Sequence, residues 1–323
     1  MLWYAILPLS VLLLLGVAFL LYAYRTAFYS PRRHRSPTDG YAVPAGPTLD
    51  GVRARHAELK AALLAAPFEE VSIKSRDGLR LVGRYYEHRA GAPLCIAFHG
   101  YRSGPVGDSA GAYQIAKGHD YNLLTVYQRA HGLSEGRTIT FGIREAEDLL
   151  LWVMYATERF GSQTPIFLSG ISMGGATVLT AASLPLPENV VGIIADCAYT
   201  SPRDILRKVT RDMHLPVALS YRALCLAARL FGGFHPEERS PIEAIKKAGV
   251  PILLIHGEAD DFVPFSMVHE LHAACASECR LVTFPDAGHG LSYLVDSERY
   301  EREVVDFEER CLARPSRAQD MKN

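Results

Sequence analysis

Hydrophobic residues follow two patterns along the chain: one long unbroken run at the start, and short alternating runs afterwards. From Leu2 to Tyr24 there is no charged residue. As a helix this segment is about 34 Å long, enough to cross the hydrocarbon core of a membrane. Aromatic residues flank the run, as they do at membrane interfaces: Trp3, Tyr4, Tyr22 and Tyr24. The pattern predicts a transmembrane helix over residues 1–24.

A cleaved signal peptide is the alternative interpretation of this run. It requires basic residues before the apolar segment and a cleavage site of small residues after it. Nothing basic precedes Leu2, and the run ends in Tyr22-Ala23-Tyr24-Arg25, so the sequence favours a retained anchor. A buried core helix fits less well, because the run is apolar on all its faces.

A stretch rich in turn-forming residues follows the apolar run. It contains Pro31, Pro37, Pro44 and Pro47 together with glycine and serine, a composition typical of a tether. Apolar residues at helical spacing then predict a short helix, with Val52, Leu59 and Leu63 on one face. We therefore expect residues 25–67 to form a tether and a short helix, and residues 315–323 to form a tail.

From residue 68 onward, strand-like and helix-like runs alternate. Two strand-like runs flank Arg76-Asp77-Gly78, which predicts an antiparallel hairpin. The alternation after it predicts an α/β fold over residues 68–314, with a mostly parallel central sheet and helices on both faces. The predicted strands are residues 68–74, 79–87, 93–98, 121–127, 165–168, 190–195, 251–255 and 279–284. The predicted helices between and after them are residues 110–117, 143–159, 174–183, 266–276 and 297–312.

The alternation is interrupted once, at residues 201–241, where the pattern is helical and offers no strand. An insertion between two strands of such a sheet predicts a small helical cap over the strand ends. Its apolar residues are candidates to bind an acyl or aromatic group, or to pack the cap onto the sheet, and both interpretations stay open. They are Met213, Leu215, Val217, Leu219, Leu224, Leu230, Phe231 and Phe234.

The charge balance separates the two parts of the chain. The 34 Lys and Arg residues and 35 Asp and Glu residues give a net charge of −1, which excludes nucleic-acid binding through bulk positive charge. Residues 1–38 hold four arginines and no acid, hence +4, and the remainder carries −5. Because all basic residues follow the apolar run, the positive-inside rule places the rest of the chain in the cytoplasm. Six cysteines are too few for a disulfide scaffold.

A Gly-x-Ser-x-Gly motif at residues 170–174 lies between a predicted strand and a predicted helix. This context is the one that a nucleophile elbow requires. The turn is tight enough to exclude side chains at Gly170 and Gly174. It places Ser172 at a helix N-terminus, where backbone N–H groups favour developing negative charge. Ser172 is therefore the candidate nucleophile.

A serine hydroxyl needs a base to take its proton and an acid to orient that base. In the nucleophile-elbow fold the chain order is Ser, then Asp, then His. His289, within Asp286-Ala287-Gly288-His289-Gly290, follows the last predicted strand. The preceding strand is followed by Asp260 and Asp261. Spacing alone leaves the choice between these two acids open.

An oxyanion hole needs two backbone donors. The N–H of Met173, directly after the nucleophile, is one candidate. The other is the N–H of Tyr101, in the loop after the third predicted strand. Asp196, at the end of a strand near the site, is a weaker candidate for substrate binding.

Other motifs indicate no further chemistry. His99 and His131 are expected to be structural, because their loops lie too early in the chain for the base. His269 and His272 lack the spacing of a zinc-binding pair. The sequence contains no P-loop and no dinucleotide-binding motif. We therefore expect no metal and no cofactor.

Five blocks in this order resemble the α/β-hydrolase superfamily, in its serine aminopeptidase S33-like or Hydrolase_4 branch, over residues 68–312. They are His99-Gly100, Gln128-Arg129-Ala130-His131-Gly132-Leu133-Ser134, Gly170–Gly174, Asp260-Asp261-Phe262-Val263-Pro264 and Gly288-His289-Gly290. The resemblance implies an α/β-hydrolase fold and selects Asp260 as the acid. Tyr127 and Ala130 depart from it, since the family has an acid and a glycine there, which puts the local hydrogen bonding of that loop in question.

The sequence as a whole predicts a membrane-anchored serine hydrolase, most simply a carboxylesterase that acts through an acyl-enzyme. An aminopeptidase or other amide hydrolase with the same triad is the alternative. A non-catalytic binding protein on this fold is an alternative of another class. The expected partners are a small-molecule ester or amide substrate and the membrane, with no nucleic acid.

Overall fold

A computed structural model describes residues 2–31 and 50–314 of the protein. Most of the predicted tether, residues 32–49, and the predicted tail, residues 315–323, lie outside these described residues.

The described residues form one sheet of eight strands in the order β1-β2-β4-β3-β5-β6-β7-β8. The strands are β1 (Glu69–Lys74), β2 (Arg80–Tyr86), β3 (Leu94–Phe98), β4 (Asn122–Val126), β5 (Ile166–Ile171), β6 (Val190–Asp196), β7 (Ile252–Gly257) and β8 (Cys279–Phe284). β1 pairs antiparallel with β2, and β2 antiparallel with β4. All pairs from β4 to β8 are parallel. The predicted mostly parallel sheet with an antiparallel hairpin is confirmed.

Helices cover both faces of the sheet. The helices are α1 (Leu2–Ala27), α2 (Asp50–Ala65), α3 (Pro105–Asp108), α4 (Ala110–Gly118), α5 (Ile143–Phe160), α6 (Met173–Ala181), α7 (Pro202–Asp212), α8 (Val217–Ala227), α9 (Pro241–Ile245), α10 (Ser266–Ala274), α11 (Ser292–Val295) and α12 (Ser297–Leu312). Alternate residues of a strand point to opposite faces. On β3, Leu94, Ile96 and Phe98 join the core under α5, α6, α9 and α10, whereas Cys95 and Ala97 join the core under α2 and α4.

The apolar N-terminal helix is joined directly to the folded body. α1 ends at Ala27, three residues beyond the predicted end. The next residue, Phe28, is fully buried, and Tyr29 forms an antiparallel bridge with Thr138. Within the described residues, Ser10–Ala27 is the one stretch long and apolar enough to span a membrane, with a mean hydropathy of 1.7. Such a helix could be an anchor or a signal sequence.

The segment between β6 and β7 is helical, as its sequence pattern indicates. It consists of α7, α8, a π-helical turn at Ala228–Gly232, and α9. Buried apolar residues of this segment pack against other parts of the chain besides the sheet. They share one core with Tyr24 and Phe28 of the N-terminal segment and with Met173 beside the elbow.

Candidate active site

Ser172 lies on a strained turn between β5 and α6. Its backbone has φ 57° and ψ −116°, a conformation that is costly for a residue with a side chain and that concentrates at functional sites. A Cβ on Gly170 would lie 2.3 Å from the Gly174 carbonyl carbon, and a Cβ on Gly174 would lie 2.0 Å from the Phe98 oxygen. Both glycines are therefore required by the close approach of neighbouring backbone.

Ser172, His289 and Asp260 are linked in one hydrogen-bonded chain. The distance from Ser172 Oγ to His289 Nε2 is 2.9 Å, and from His289 Nδ1 to Asp260 Oδ2 it is 2.8 Å. Because a carboxylate only accepts, Nδ1 carries the proton and Nε2 accepts the hydrogen bond from the serine hydroxyl. The three residues predicted from the motifs are thus brought together with the orientation that proton transfer requires.

The surroundings of Asp260 keep its carboxylate charged. Burial acts to raise the pKa of this group, but hydrogen bonds from His256 and His289 outweigh it and lower the pKa to about 2. The backbone N–H groups of Phe262 and Val263 also donate to Oδ1. Asp261, in contrast, is exposed. The support from His256 was not apparent in the sequence, because it comes from within β7.

The two predicted oxyanion donors lie close to Ser172 in the chain or in the cavity: Met173 is the next residue, and Tyr101 lines the same cavity as Ser172. Met173 N–H is the first donor of α6, and such N-terminal donors have no partner within the helix. Within the described residues, neither Met173 N–H nor Tyr101 N–H donates to another backbone group. Both predicted donors therefore remain available to an oxyanion.

The loop that carries Tyr101 is held by polar groups that are buried or half-buried. Gly100 N–H donates to Asp108 Oδ2 at 2.6 Å, and Ser103 Oγ donates to Asp108 Oδ1 at 2.7 Å. Arg102 N–H donates to His131 Nε2 at 3.0 Å. His131 thus has the structural role that its position in the chain indicates. Asp108 was missed, because an acid eight residues from a glycine has no recognisable motif.

Asp196 does not line the pocket beside Ser172. It is buried at the end of β6, where it accepts a hydrogen bond from Ser292 at 3.4 Å. Its backbone oxygen accepts from Ser172 N–H at 2.9 Å. The structure therefore places Asp196 behind the elbow, where it supports the turn.

A thiol lies close to the triad. Ligand atoms of Cys197, Asp260 and His289 are within 4.8 Å of one another, a spacing that a metal ion could bridge. However, burial raises the pKa of Cys197 well above its usual value, and a protonated thiol is a poor ligand. His289 and Asp260 already bind each other. These residues fit a proton relay better than a metal centre.

A cavity of about 870 Å³ opens beside Ser172 and His289. Phe262, which is 41% exposed, lies at its mouth with its ring 4.9 Å from that of His289. None of the described residues between 201 and 241 lines the cavity. The apolar residues of the predicted cap therefore do not form its walls. The walls are formed instead by α2, the β3–α4 region, the sheet, the loops after β7 and β8, and the C-terminal helices.

Comparison with known proteins agrees with this fold. The model of the prolyl oligopeptidase family matches residues 138–314. YqkD of Bacillus subtilis is 28% identical over 191 residues, which cover 58% of this chain and 62% of YqkD. YfhR of Escherichia coli is 24% identical over 247 residues, which cover 74% of this chain and 80% of YfhR. The chain thus spans less than two-thirds of the first relative.

Solved structures give the same result. An esterase of Pyrococcus furiosus, Pf2001, superposes with a TM-score of 0.64 at 22% identity, covering 84% of this chain and 97% of that chain. The similarity shows that the two chains share the α/β-hydrolase fold. The S33-like subtype expected from the motifs stays a prediction.

Proposed function

This chain belongs to the prolyl oligopeptidase family, and from that premise we propose that it is a serine hydrolase that cleaves carboxylic esters through an acyl-enzyme. The observation that carries the proposal is the hydrogen-bonded chain Ser172–His289–Asp260 at the wall of a largely apolar cavity. No cofactor is required for this chemistry.

Acylation follows from the geometry. Ser172 Oγ attacks the ester carbonyl carbon while its proton passes to His289 Nε2, and the carbonyl oxygen becomes negative between Met173 N–H and Tyr101 N–H. Asp260 stabilises the imidazolium. The bond to the alkoxy oxygen then breaks, and His289 returns the proton to the departing alcohol. The acyl group remains on Ser172.

Deacylation repeats these steps with water. His289 takes a proton from water, the oxygen attacks the acyl carbon, and the bond to Ser172 Oγ breaks as the serine regains a proton. The products are a carboxylic acid and the free enzyme. In both halves of the reaction Asp260 holds His289 at Nδ1, while Nε2 takes up a proton from Ser172 or from water and then returns it.

Amide cleavage by the same residues is the second candidate, and the family match to prolyl oligopeptidases favours it. Its leaving amine would receive the proton from His289 in place of the alcohol. Parallel assays with p-nitrophenyl esters and amino-acid p-nitroanilides separate the two, since an ester hydrolase should turn over only the first group.

We also propose that α1 is retained as a membrane anchor, with the catalytic domain in the cytoplasm. Most of the span Ser10–Ala27 is exposed, as expected of a lipid-facing helix, while the residues after it are packed into the domain. Cleavage after Ala27 would remove Tyr24, which is buried and packs against Phe28, and leave a hole in the core that the two residues share. Mass spectrometry of the membrane-bound protein tests this: an intact N-terminus is expected, and a chain that starts after Ala27 would contradict it.

The Ser172→Ala variant tests the catalytic proposal. We expect hydrolysis of p-nitrophenyl esters to fall by at least about 10³-fold, because the nucleophile is lost while the fold is kept. Ser183→Ala, two residues beyond the C-terminal end of α6, is the matched control and should retain activity. Labelling by a fluorophosphonate probe should occur in the wild type and not in Ser172→Ala. A wild-type chain that neither labels nor hydrolyses esters would point instead to a binding protein.

A further inference from the structure

The cavity beside Ser172 continues far beyond the catalytic edge of the sheet. Its walls include Cys95, the second residue of β3, and Tyr121, which directly precedes β4. In the parallel register Leu94 pairs with Asn122, so both residues mark the edge where these strands begin. The five residues of β3 span roughly 16 Å at about 3.3 Å each. The cavity thus runs along the sheet from one edge to the other.

Small side chains create this space. Protein interiors are normally packed with few voids larger than a water molecule, whereas this cavity has the size of a ligand pocket. The helix and the strands that face each other across it contribute residues with short side chains or none. They are Ala110, Gly111, Ala112 and Ala116 of α4, with Cys95, Ala97 and Ser169 of the sheet.

A carboxyl group lines the cavity at the edge where the strands begin. Glu308 follows Tyr300 and Val304 at helical spacing on the inward face of α12, and all three line the cavity. Glu308 is only 3% exposed, and its Oε2 has no hydrogen-bond partner within the described residues. A buried polar atom without a partner is costly. The arrangement leaves this atom available to a ligand.

We propose that the cavity is an acyl-binding tunnel and that Glu308 hydrogen-bonds a hydroxyl group near the far end of the acyl chain. The substrate class is then esters of hydroxylated medium-chain fatty acids. This inference rests on the proposed function, since it assumes that Ser172 carries the acyl group.

The acyl chain, rather than the alcohol, fits the tunnel for a kinetic reason. The acyl group stays on Ser172 between the two steps, while the alcohol must leave and water must enter. The exposed mouth at Phe262 and Asp261 provides that route. The end at Glu308 is closed to solvent. A group held there therefore does not obstruct the departure of the alcohol or the entry of water at the mouth.

A neutral hydroxyl suits Glu308 better than an ammonium group. Burial raises the pKa of Glu308 to about 8, so that near neutral pH the carboxyl is mostly protonated and can both donate and accept. An ammonium group would have to shed its own hydration in an apolar tunnel, which is expensive even when an ion pair forms. A hydroxyl group requires no charge to be buried.

Thermal shift with free acids tests the tunnel without catalysis. We expect ω-hydroxydecanoate to raise the melting temperature of the wild type more than decanoate does. In Glu308→Leu that order should reverse, because the carboxyl partner is replaced by an apolar group. Glu309→Leu alters the exposed neighbour and should behave as the wild type. The proposal would be overturned if ω-hydroxydecanoate raised the melting temperature of the wild type and of Glu308→Leu equally. It would also be overturned if ω-aminodecanoate raised the melting temperature of the wild type more than ω-hydroxydecanoate does.

A second variant covers the case in which Glu308→Leu does not fold. Ala116→Phe places a ring in the half of the tunnel near Tyr121, and it should abolish the shift with both ten-carbon acids. If both acids still raised the melting temperature of Ala116→Phe as they do that of the wild type, the proposal of an acyl-binding tunnel would be overturned.

Kinetics complete the test. The kcat/KM ratio of hydroxydecanoyl to decanoyl p-nitrophenyl ester should fall at least about tenfold in Glu308→Leu, the cost of losing one buried hydrogen bond. If the wild type hydrolyses no ester yet still prefers the hydroxy acid in the binding assay, the catalytic proposal fails and the binding site stands. If the wild type is active but Glu308→Leu has the same kcat/KM ratio for the two esters, the proposed role of Glu308 is overturned and the catalytic proposal stands.

Discussion

Asp260 and Asp261 are adjacent in sequence and have opposite surroundings. The first is buried and bonded to His289, and the second is exposed. We expect Asp260→Asn to lower kcat by about 10⁴-fold, since an amide no longer holds the imidazole in the required tautomer. Asp261→Asn, the matched control, should change kcat by less than about threefold. Comparable losses in both variants, measured with one p-nitrophenyl ester, would contradict the assignment of Asp260.

Glu308 makes the stability of the fold depend on pH. Burial raises its pKa from 4.5 to about 8, so its favourable contribution is complete below pH 4.5 and is lost as the pH rises towards 8. The groups that face it are Cys95, Tyr121 and Cys311, whose pKa values are all raised, chiefly by burial. These three side chains remain uncharged between pH 4.5 and pH 8, so they do not contribute to the pH dependence that Glu308 causes.

The Glu308→Gln variant removes that ionisation. Between pH 5 and pH 8 we expect the free energy of unfolding of the wild type to fall by about 3–4 kcal/mol more than that of the variant. Urea unfolding at the two pH values measures the difference. The exposed Glu309→Gln control should follow the wild type. Parallel pH profiles for wild type and Glu308→Gln would contradict a buried titrating carboxyl.

Individual residues were predictable where a motif fixes their backbone. Ser172 and His289 stand in short glycine-bounded blocks after strands, and the structure places them in contact. Glu308 could not be recognised, because Glu308-Glu309 in an amphipathic helix has the composition of a solvated surface. Its burial depends on how α12 is rotated against the sheet, which is a tertiary property.

The loop formed by residues 128–134 is anchored by buried polar contacts, although Ala130 departs from the family pattern. Ala130 has φ 64°, a left-handed conformation that glycine adopts without strain and that costs more for alanine. Arg129 anchors the loop through a buried ion pair with Asp148 at 2.6 Å and a second contact with Asp77 at 3.0 Å. The departures from the family pattern therefore leave the loop ordered.

Arg129→Ala should strongly destabilise the protein. It leaves the buried Asp148 carboxylate without its partner, a change that costs about 3–5 kcal/mol. Arg159→Ala, which breaks the more exposed pair with Glu69, should cost about 1 kcal/mol or less. Urea unfolding of both variants provides the comparison. A small effect at Arg129 would mean that the loop is held by its backbone alone.

The elements of the sheet were predictable because their hydrophobic pattern is local. The destination of the apolar residues at 201–241 was not, and the sequence left two interpretations open. Residues such as Phe234 and Ala227 pack into a core shared with the N-terminal segment, and none of the described residues of this insertion lines the cavity. Pattern alone does not reveal which surface an apolar face will cover.

At the scale of the whole molecule, the N-terminal helix and the oxyanion loop are physically connected. Tyr101 Oη donates to the Ala27 oxygen at 2.8 Å, and Arg102 donates to the Thr26 oxygen at 2.7 Å. These carbonyls belong to the last turn of α1, where a helix has unpaired acceptors and favours cations. The proline-rich sequence after the helix predicts a tether, and it gave no sign of this contact.

Phe28→Ala tests whether this connection matters for the enzyme. Phe28 is fully buried, with edge-to-face contacts to Phe141 and Phe234. Its truncation should cost about 3–5 kcal/mol and loosen the end of α1, so that Tyr101 loses its partner at Ala27. We therefore expect a lower kcat together with faster proteolysis near the end of α1, measured in detergent.

Phe19→Ala is the matched control, because Phe19 lies on the same helix and is 56% exposed. It should leave both stability and kcat close to the wild type. If Phe28→Ala lowers stability but leaves kcat intact in the folded fraction, the helix only anchors the domain and does not position the oxyanion loop. A fall in kcat confined to Phe28→Ala would mean that the apolar N-terminus is part of the catalytic structure, since the contacts of its last turn reach the loop that carries Tyr101.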